Sequence, residues 1–465
     1  MQRLRPLHVV ILAAGRGKRM QTNKPKVLHQ LAAKPMIQHV LDTAKKLHPE
    51  QIHVIIGHEA AKIREAIQEP GLHFVMQAEQ KGTGHAVMQV LPFIEDDANV
   101  LILSGDVPLT QPSTLEQLIA ANHGHAKKLS LLLAKLDIPY GFGRIDRDIN
   151  GEIRAVVEEK DATLAQKAIT EIYTGICVAQ ASKLKEWLPQ LSTNNASGEY
   201  YLTSIIEMAA REKESISSIE PEFLFEIQGV NTLKQLHDLE RIWQLFQSNC
   251  LLEQGVQISD VSRLDIRGQV NIEPDVYIDV GVILEGNVQI SQYASIGAHS
   301  IIKNAVIGRH CIIHPHSILQ DVVLEAYCEV GPFARLRPGT YLEEYCKVGN
   351  FVELKETHFG PHSKASHLSY IGDAIVGQQV NIGAGTITCN YDGVNKHQTI
   401  IKDHAFIGSD TQLIAPVVVG AYATIGAGTT LRDDAPDNAL TLTPTRQKSI
   451  LSWQRPAKEK ISNSP

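Results

Sequence analysis

The chain has no apolar run near the ~20 residues that a membrane-spanning helix needs, so a helical membrane protein is excluded. Its six cysteines (Cys177, Cys250, Cys311, Cys328, Cys346 and Cys389) show no C-x-x-C spacing. No thiolate metal site or redox motif can be read from them, and reduced thiols in a cytoplasmic protein are the expectation. Positive charge is not in excess: a net charge of −7 gives no electrostatic reason to expect nucleic acid. Residues 1–5 are basic, but the apolar stretch 7–14 is short and runs into a Gly/Arg loop instead of a small-residue cleavage site. It reads as a first strand, not a secretory signal. The Walker pattern G-x-x-x-x-G-K-[ST] is missing too, as is G-x-G-x-x-G.

What the chain does contain is two kinds of periodicity, and its 465 residues suffice for two or three domains. Over 7–229, short apolar runs (8–12, 52–56, 100–103, 129–133) alternate with helical patterns (35–46, 60–67, 84–90, 112–122). That alternation predicts βαβ units and a mainly parallel sheet, in which ligands bind beyond the carboxyl ends of the strands. The second half has a different period. Ile272, Ile278, Leu284, Ile290, Ile296 and Ile302 stand six apart, and the register restarts at Ile307, at Val330 and at Ile401. Neither a helix nor an alternating strand gives a period of six; a solenoid does, with every sixth side chain pointing at its axis. Gly often follows the buried aliphatic (Gly297, Gly308, Gly349, Gly408), which suggests tight corners. Two stretches, 355–370 and 388–399, are polar and break the repeat. They are expected to be inserted loops where function lies. Between the halves, Leu233, Leu236, Leu239, Ile242, Trp243 and Phe246 form one helical stripe behind a cap at Asn231-Thr232. It is either an arm joining two domains or the last helix of the first.

Two segments leave predicted strands with chemistry attached. In LAAGRGKRM (12–20), Gly15 and Gly17 let backbone N–H groups approach an anion, while Arg19 and the following Lys26 add positive charge. A solvated basic loop is the plain alternative. In SGDVP (104–108), Asp106 ends an apolar run where a carboxylate can hold Mg²⁺ beside phosphates, although an ordinary strand-end Asp would look the same. Together at one sheet edge they point to a nucleotide site.

These segments, with PKVLH, QAEQKGTGHAV, GFGRI, EEKDAT, GEYYLT and NIGAGTITCNYDG, resemble one bacterial family. It is that of the bifunctional N-acetylglucosamine-1-phosphate uridyltransferases / glucosamine-1-phosphate N-acetyltransferases. The likeness runs in order along nearly the whole chain. It implies an α/β fold, with a Rossmann-like nucleotidyltransferase domain followed by a left-handed parallel β-helix of hexapeptide repeats. It further implies Mg²⁺ as cofactor, UTP and acetyl-CoA as co-substrates, and a homotrimer with acyltransferase sites between subunits. On that basis the uridine nucleotide and its sugar are expected on Leu12, Ala13, Ala14, Gly15, Lys26, Gln77, Gly82 and Thr83, with Ser104, Gly105, Asp106, Gly143, Glu158, Tyr173 and Asn231. Asp106 and Asn231 would bind Mg²⁺, and Arg19 and Lys26 would act in catalysis. Ser104 replaces an aromatic, and Tyr173 stands where Asn is more usual, so the sugar pocket departs from the family pattern at two points.

In the second half the resemblance makes His367 the base of acetyl transfer. That chemistry requires a neutral amine, and a histidine titrates in the right range to take its proton. Glucosamine 1-phosphate is expected on Arg337, Lys355, Tyr370 and Asn381, where two cations suit a phosphate dianion. Acetyl-CoA is expected on Ala384, Asn390, Tyr391, Ser409 and Ala427, with Arg446 as a candidate addition. His310, His314 and His316 read as surface or intersubunit histidines, not a zinc site. The expected divisions are a nucleotidyltransferase domain (1–230), a helical arm (231–254), the β-helix (255–434) and a tail (435–465). A single-activity nucleotidyltransferase with a regulatory β-helix, or a scaffold that kept both folds, are the competing readings. His367, Lys355 and the NYDG loop argue against the first, and an intact Asp106, Lys26 and Gly15–Arg19 loop against the second.

Overall fold

A computed structural model describes residues 5–122, 127–443 and 447–455. Arg446 lies outside the described residues. The chain forms two compact units. One is built on residues up to Asn249 with Ile266–Gly268, and the other on Cys250–Asp265 with the residues from Gln269 onward.

The first unit follows the predicted alternation closely. Its strands and helices begin β1 (Leu7–Leu12), α1 (Met36–Lys46), β2 (Gln51–Ile56), α2 (Ala60–Ala66), β3 (Leu72–Met76) and α3 (Thr83–Met88). They continue as β4 (Asn99–Ser104), α4 (Pro112–Ala121), β5 (Lys127–Lys135), β6 (Gly143–Arg147), β7 (Ile153–Val157) and β8 (Glu171–Gln180). The last are α5 (Ser204–Arg211), β9 (Ser215–Ile219) and α6 (Leu233–Glu253). The sheet order is β9-β5-β8-β4-β1-β2-β3. Within it β8 runs antiparallel to both neighbours, and the β6–β7 hairpin is appended to its start.

The central strands are apolar without a break because both sheet faces are covered. Val10, Val100 and Ile102 pack under α3 and α5, while Val9, Ile11, Leu101 and Leu103 pack under α1, α2 and α4. The stripe of α6 settles into a third cluster: Leu236, Leu239, Trp243 and Phe246 meet Met20, Leu31, Met36 and Phe225. The first turns of α6 therefore pack as part of this unit. Thr232 Oγ1 accepts from the Gln235 amide (3.2 Å) and Gln235 Oε1 accepts from the Thr232 amide (3.1 Å), a capping box that fixes where the helix starts. Among the described residues, no helix is long and apolar enough to cross a membrane.

The second unit is a parallel β-helix. Ile278, Ile296, Ile313, Val330, Val348, Ala365, Ile382, Ile407 and Ile425 stand in register on successive coils. Neighbours in that series are 17 or 18 residues apart, three hexads to a coil, except between Ile382 and Ile407. The surplus there is the excursion through 390–398, where Tyr391 pairs with Lys396 before Thr399 rejoins the ladder. This is one of the two expected interruptions.

The other is not an insertion. Residues 355–370 run through a regular coil, with Leu354 opposite Ile371 and Val348 opposite Ala365. Phe359 and Ala365, both fully buried, fill the axis positions that an aliphatic pattern leaves blank. The hexad glycines also act differently from the expectation. Left-handed corners fall mostly on residues such as Tyr293, His310, Phe333 and Asp373. Gly297, Gly308 and Gly349 are needed because a Cβ there would lie within 3 Å of the next coil's backbone.

Candidate functional sites

In the first unit, the loops leaving β1 and β4 meet the segment that opens α3. Leu12, Ala13, Ala14, Gly15, Lys26, Gln77, Gly82, Thr83, Ser104 and Asp106 line one cleft of about 750 Å³. Each follows from local geometry. The Gly105 amide donates to Leu12 O (2.9 Å), locking the two strand ends together. Gln77 is almost wholly buried, and its Nε2 donates to Gly82 O (3.1 Å), closing the loop before α3. Gly82 has φ +110°, and a Cβ there would strike the backbone of Tyr200. A Cβ on Gly15, by contrast, would meet nothing within 4 Å, so the space above that residue is open to a ligand.

At one end of the cleft the cations and oxygens converge. Lys26 Nζ pairs with the Asp106 carboxylate and donates to Asn231 Oδ1 (3.1 Å), which also accepts from Arg19 Nη2 (2.8 Å). The Val230 amide donates to Asp106 O (2.9 Å), which carries Asn231 to that place. One carboxylate and one amide oxygen thus face a single positive centre. Such a sparse all-oxygen donor set, completed by phosphates and water, fits Mg²⁺ and suits neither zinc nor a soft metal.

Of the expected sugar contacts, Ser104, Gly105 and Asn231 lie at this cleft, whereas Gly143, Glu158 and Tyr173 lie elsewhere. Glu158 accepts from Thr203 Oγ1 (2.9 Å) and borders a hollow of about 1050 Å³ between β7 and α5. Burial pushes its carboxyl above the usual carboxylate range, a shift that the Thr203 hydrogen bond opposes and nearby Asp161 reinforces. Gly143 lies beside it; a Cβ there would sit 3.7 Å from Glu158 Oε2. Tyr173 is only 5% exposed and packs in the core of the sheet. Its phenol, held neutral by burial and by Cys177, lines neither cavity. Sequence reasoning left out Arg16, Gln80 and Glu199, which also line the cleft. Arg16, inside the Gly-Arg-Gly loop, carried a signal; the other two carried none beyond their motifs.

In the second unit, the expected residues fall on two neighbouring columns of the coil. Arg337 and Lys355 occupy the same place on successive coils, as the Arg337 amide bonded to Leu354 O and the pairing of Lys355 with Gly372 show. Arg337 pairs with Glu353 (2.8 Å), and Lys355 lies 3.9 Å from Asp373. Asn390 Nδ2 donates to Asp373 and to Tyr370 Oη (3.4 Å). Lys396, brought back by the excursion, faces Lys355 and, with burial, lowers its pKa against the pull of Asp373. That crowding of two ammonium groups marks a place for a multiply charged anion.

His367 belongs to another column. It directly precedes a left-handed corner, Leu368, and so do Asn350, Ala384, Ser409 and Ala427 before Phe351, Gly385, Asp410 and Gly428. One such residue per coil makes a row along the β-helix: Asn350, His367, then the small residues Ala384, Ser409 and Ala427. His367 Nδ1 donates to Asn350 Oδ1 (2.7 Å). Asn381 lies on the strand Asn381–Ile382, next to the strand that ends in His367. Tyr391 is exposed in the excursion. Of the three clustered histidines, His314 pairs with Glu329 (2.9 Å), whereas His310 and His316 stack in two separate ladders of rings.

Comparison with known proteins agrees with this division. Residues 9–134 match the MobA-like NTP transferase domain, 266–364 the GMPPB C-terminal domain, and 398–433 the bacterial transferase hexapeptide (six repeats). The bifunctional protein GlmU of Legionella pneumophila strain Lens is 53% identical over 456 residues, spanning 97% of this chain and 99% of that protein. Those of Marinobacter nauticus and Ralstonia nicotianae are 49% and 50% identical, over 97% and 98% of this chain and 99% of each relative. A solved UDP-glucose pyrophosphorylase complexed with UDP-glucose covers 51% of this chain and 98% of its own, at 16% identity and a TM-score of 0.43. That likeness is too remote to bear on the reading.

Proposed function

The chain belongs to the family of bifunctional GlmU proteins, and from that premise we propose how its residues divide two reactions. It acetylates glucosamine 1-phosphate with acetyl-CoA on the β-helix. It then transfers UMP from UTP to N-acetylglucosamine 1-phosphate in the first unit, releasing pyrophosphate and supplying UDP-N-acetylglucosamine to cell-wall synthesis.

The observation that carries the residue assignment is the convergence of Lys26, Arg19, Asp106 and Asn231 at one end of the 750 Å³ cleft. A sugar 1-phosphate is already anionic near neutral pH and needs no base to attack the α-phosphorus. Catalysis then reduces to in-line positioning and neutralisation of charge on the leaving pyrophosphate. Lys26 and Arg19 are placed to supply positive charge there. The Ala13 amide is spent on Ile55 O (2.9 Å), so Ala14 and Gly15 are the ones that offer backbone N–H groups to phosphate oxygens, and Gln77, Gly82 and Thr83 hold the nucleoside. Asp106 and Asn231 would hold Mg²⁺, which when bound would supply neutralisation of the triphosphate charge. Glu158, Gly143 and Gly105 face the sugar.

On the β-helix, Arg337, Lys355 and Tyr370 bind the sugar phosphate, with Asn381 beside them. The amine nitrogen attacks the thioester carbonyl as His367 takes its proton; the C–S bond breaks, and the same proton passes to the departing thiolate of CoA. The row of Ala384, Ser409 and Ala427 leaves room for an extended thioester arm, with Asn390 and Tyr391 at its flank. The working form is a cytoplasmic homotrimer. Its support is the exposed apolar column Phe333, Phe351 and Leu368 beside the His367 row, which a second copy would cover.

The test follows free thiol and pyrophosphate separately in purified protein given glucosamine 1-phosphate, acetyl-CoA, UTP and Mg²⁺. Asp106→Ala should abolish pyrophosphate release and spare thiol release, and His367→Ala should do the reverse when N-acetylglucosamine 1-phosphate is supplied. Near-normal UDP-sugar synthesis by Asp106→Ala, or thiol release by His367→Ala, would overturn the respective assignment.

A further inference from the structure

We propose that Asn350 is a positioning residue for acetyl transfer, an inference that rests on the reading of His367 as the base. An imidazole can take a proton at Nε2 only if its single ring proton sits on Nδ1. Asn350 Oδ1 lies 2.7 Å from His367 Nδ1, and an amide oxygen can only accept, so the contact holds the proton on Nδ1 and turns the Nε2 lone pair outward. When Nε2 takes the proton of the attacking amine, the same contact stabilises the imidazolium until that proton passes to the CoA thiolate.

The coil geometry makes this pairing deliberate. Asn350 and His367 are register partners that close the strands Lys347–Asn350 and Lys364–His367. Side chains at one place on successive coils stand about 4.8 Å apart, within reach of a direct hydrogen bond. Gly349 brings the backbones closer still: a Cβ there would fall 1.9 Å from Ser366 O. Among the described residues no carboxylate pairs with His367. On the coil before it, Lys347 is engaged by Glu329 (2.8 Å); on the coil after it, the strand Asn381–Ile382 carries no ionisable group. On its own strand the charged residue is Lys364, three places away. Asn350 is thus the neighbour that sets which ring nitrogen is free.

The experiment compares Asn350→Leu, Asn350→Asp and His367→Ala in the full chain, with pyrophosphate release as the internal control for folding. Asn350→Leu should lower kcat for acetyl transfer about 10- to 100-fold, the usual cost of losing an orienting partner. KM for glucosamine 1-phosphate and the uridyl transfer rate should stay within about twofold. Asn350→Asp keeps the acceptor but adds a negative charge that favours the imidazolium. The rising limb of its kcat–pH profile should therefore move about one unit to higher pH. Full acetyl transfer by Asn350→Leu alongside an inactive His367→Ala, or an unmoved profile in Asn350→Asp, would overturn the inference. Acetyl transfer that survives His367→Ala would overturn the reading of the base, and this inference with it.

Discussion

His53 sits in the first unit between two other imidazoles, its Nε2 3.0 Å from His8 Nδ1 and its Nδ1 2.9 Å from His73 Nδ1. Burial, with His8 and His73 beside it, lowers its pKa from 6.5 to about 4, against the pull of Glu95. Between those values the unfolded chain binds the proton and the folded one does not. The stabilisation is complete above pH 6.5 and is lost as pH falls towards 4, by up to about 3 kcal/mol. Urea unfolding should show a midpoint that declines between pH 7 and pH 4.5, and His53→Gln should flatten that decline. None of this is visible in the sequence, where the three histidines lie far apart and only strand pairing unites them. Asp106, Lys26 and His367 could be singled out in the sequence because each sits in a motif with a chemical reason for its residue type. Asn350 could not: its significance comes from standing one coil from His367, and no local pattern records that distance. Tyr173 shows the opposite failure, for its place in a motif suggests a pocket wall and its side chain lies in the core.

The β6–β7 hairpin and the turn that follows it are joined by a buried cation. Arg144, only 2% exposed, pairs with Glu159 (2.7 Å) and donates to Phe142 O. Glu159 also accepts from the Gly141 amide (3.2 Å), so one ion pair ties the 139–143 loop to the turn holding Glu158. Glu159 keeps 21% of its side chain exposed, so the charge left by removing Arg144 would stay solvated and the main loss is the loop's anchor. Arg144→Met should therefore destabilise the first unit by about 1 kcal/mol, read from urea unfolding. It should raise KM for N-acetylglucosamine 1-phosphate more than for UTP and leave thiol release from the β-helix unchanged. At this scale the sequence was most informative where a period was strict. The hexads placed the axis residues correctly, and the only coil misread was the one where Phe359 and Ala365 stand in for aliphatics. A rule written for one residue type loses the register when bulk is redistributed between neighbouring positions.

For the whole molecule, the apolar column Phe333, Phe351 and Leu368, 49%, 56% and 62% exposed, is a feature that a single chain leaves uncovered. Wild-type protein should scatter light as three times the 51.2 kDa chain. Phe351→Glu combined with Leu368→Lys should yield a smaller species that has lost acetyl transfer while still releasing pyrophosphate. A trimer of unchanged mass in that variant would show that the surface lies outside the interface. The division of the chain into an open α/β sheet and a solenoid was readable from the two periods alone. Oligomeric state was not, because periodicity reports what faces the axis and is silent about what covers the outside.

The row of Asn350, His367, Ala384, Ser409 and Ala427 also works as a ruler. Each coil is a graduation of about 4.8 Å, and no side chain in the row can be moved by a fraction of one. Coils of 17 and of 18 residues keep the same register, so a single extra residue is absorbed off the row and the reach along it changes only in whole steps. Removing one complete coil between His367 and Ser409 would keep the fold's repeat and shorten that reach by one graduation. With the acyl donor seated along this row as proposed, the fit to its length would be stored as a count of coils.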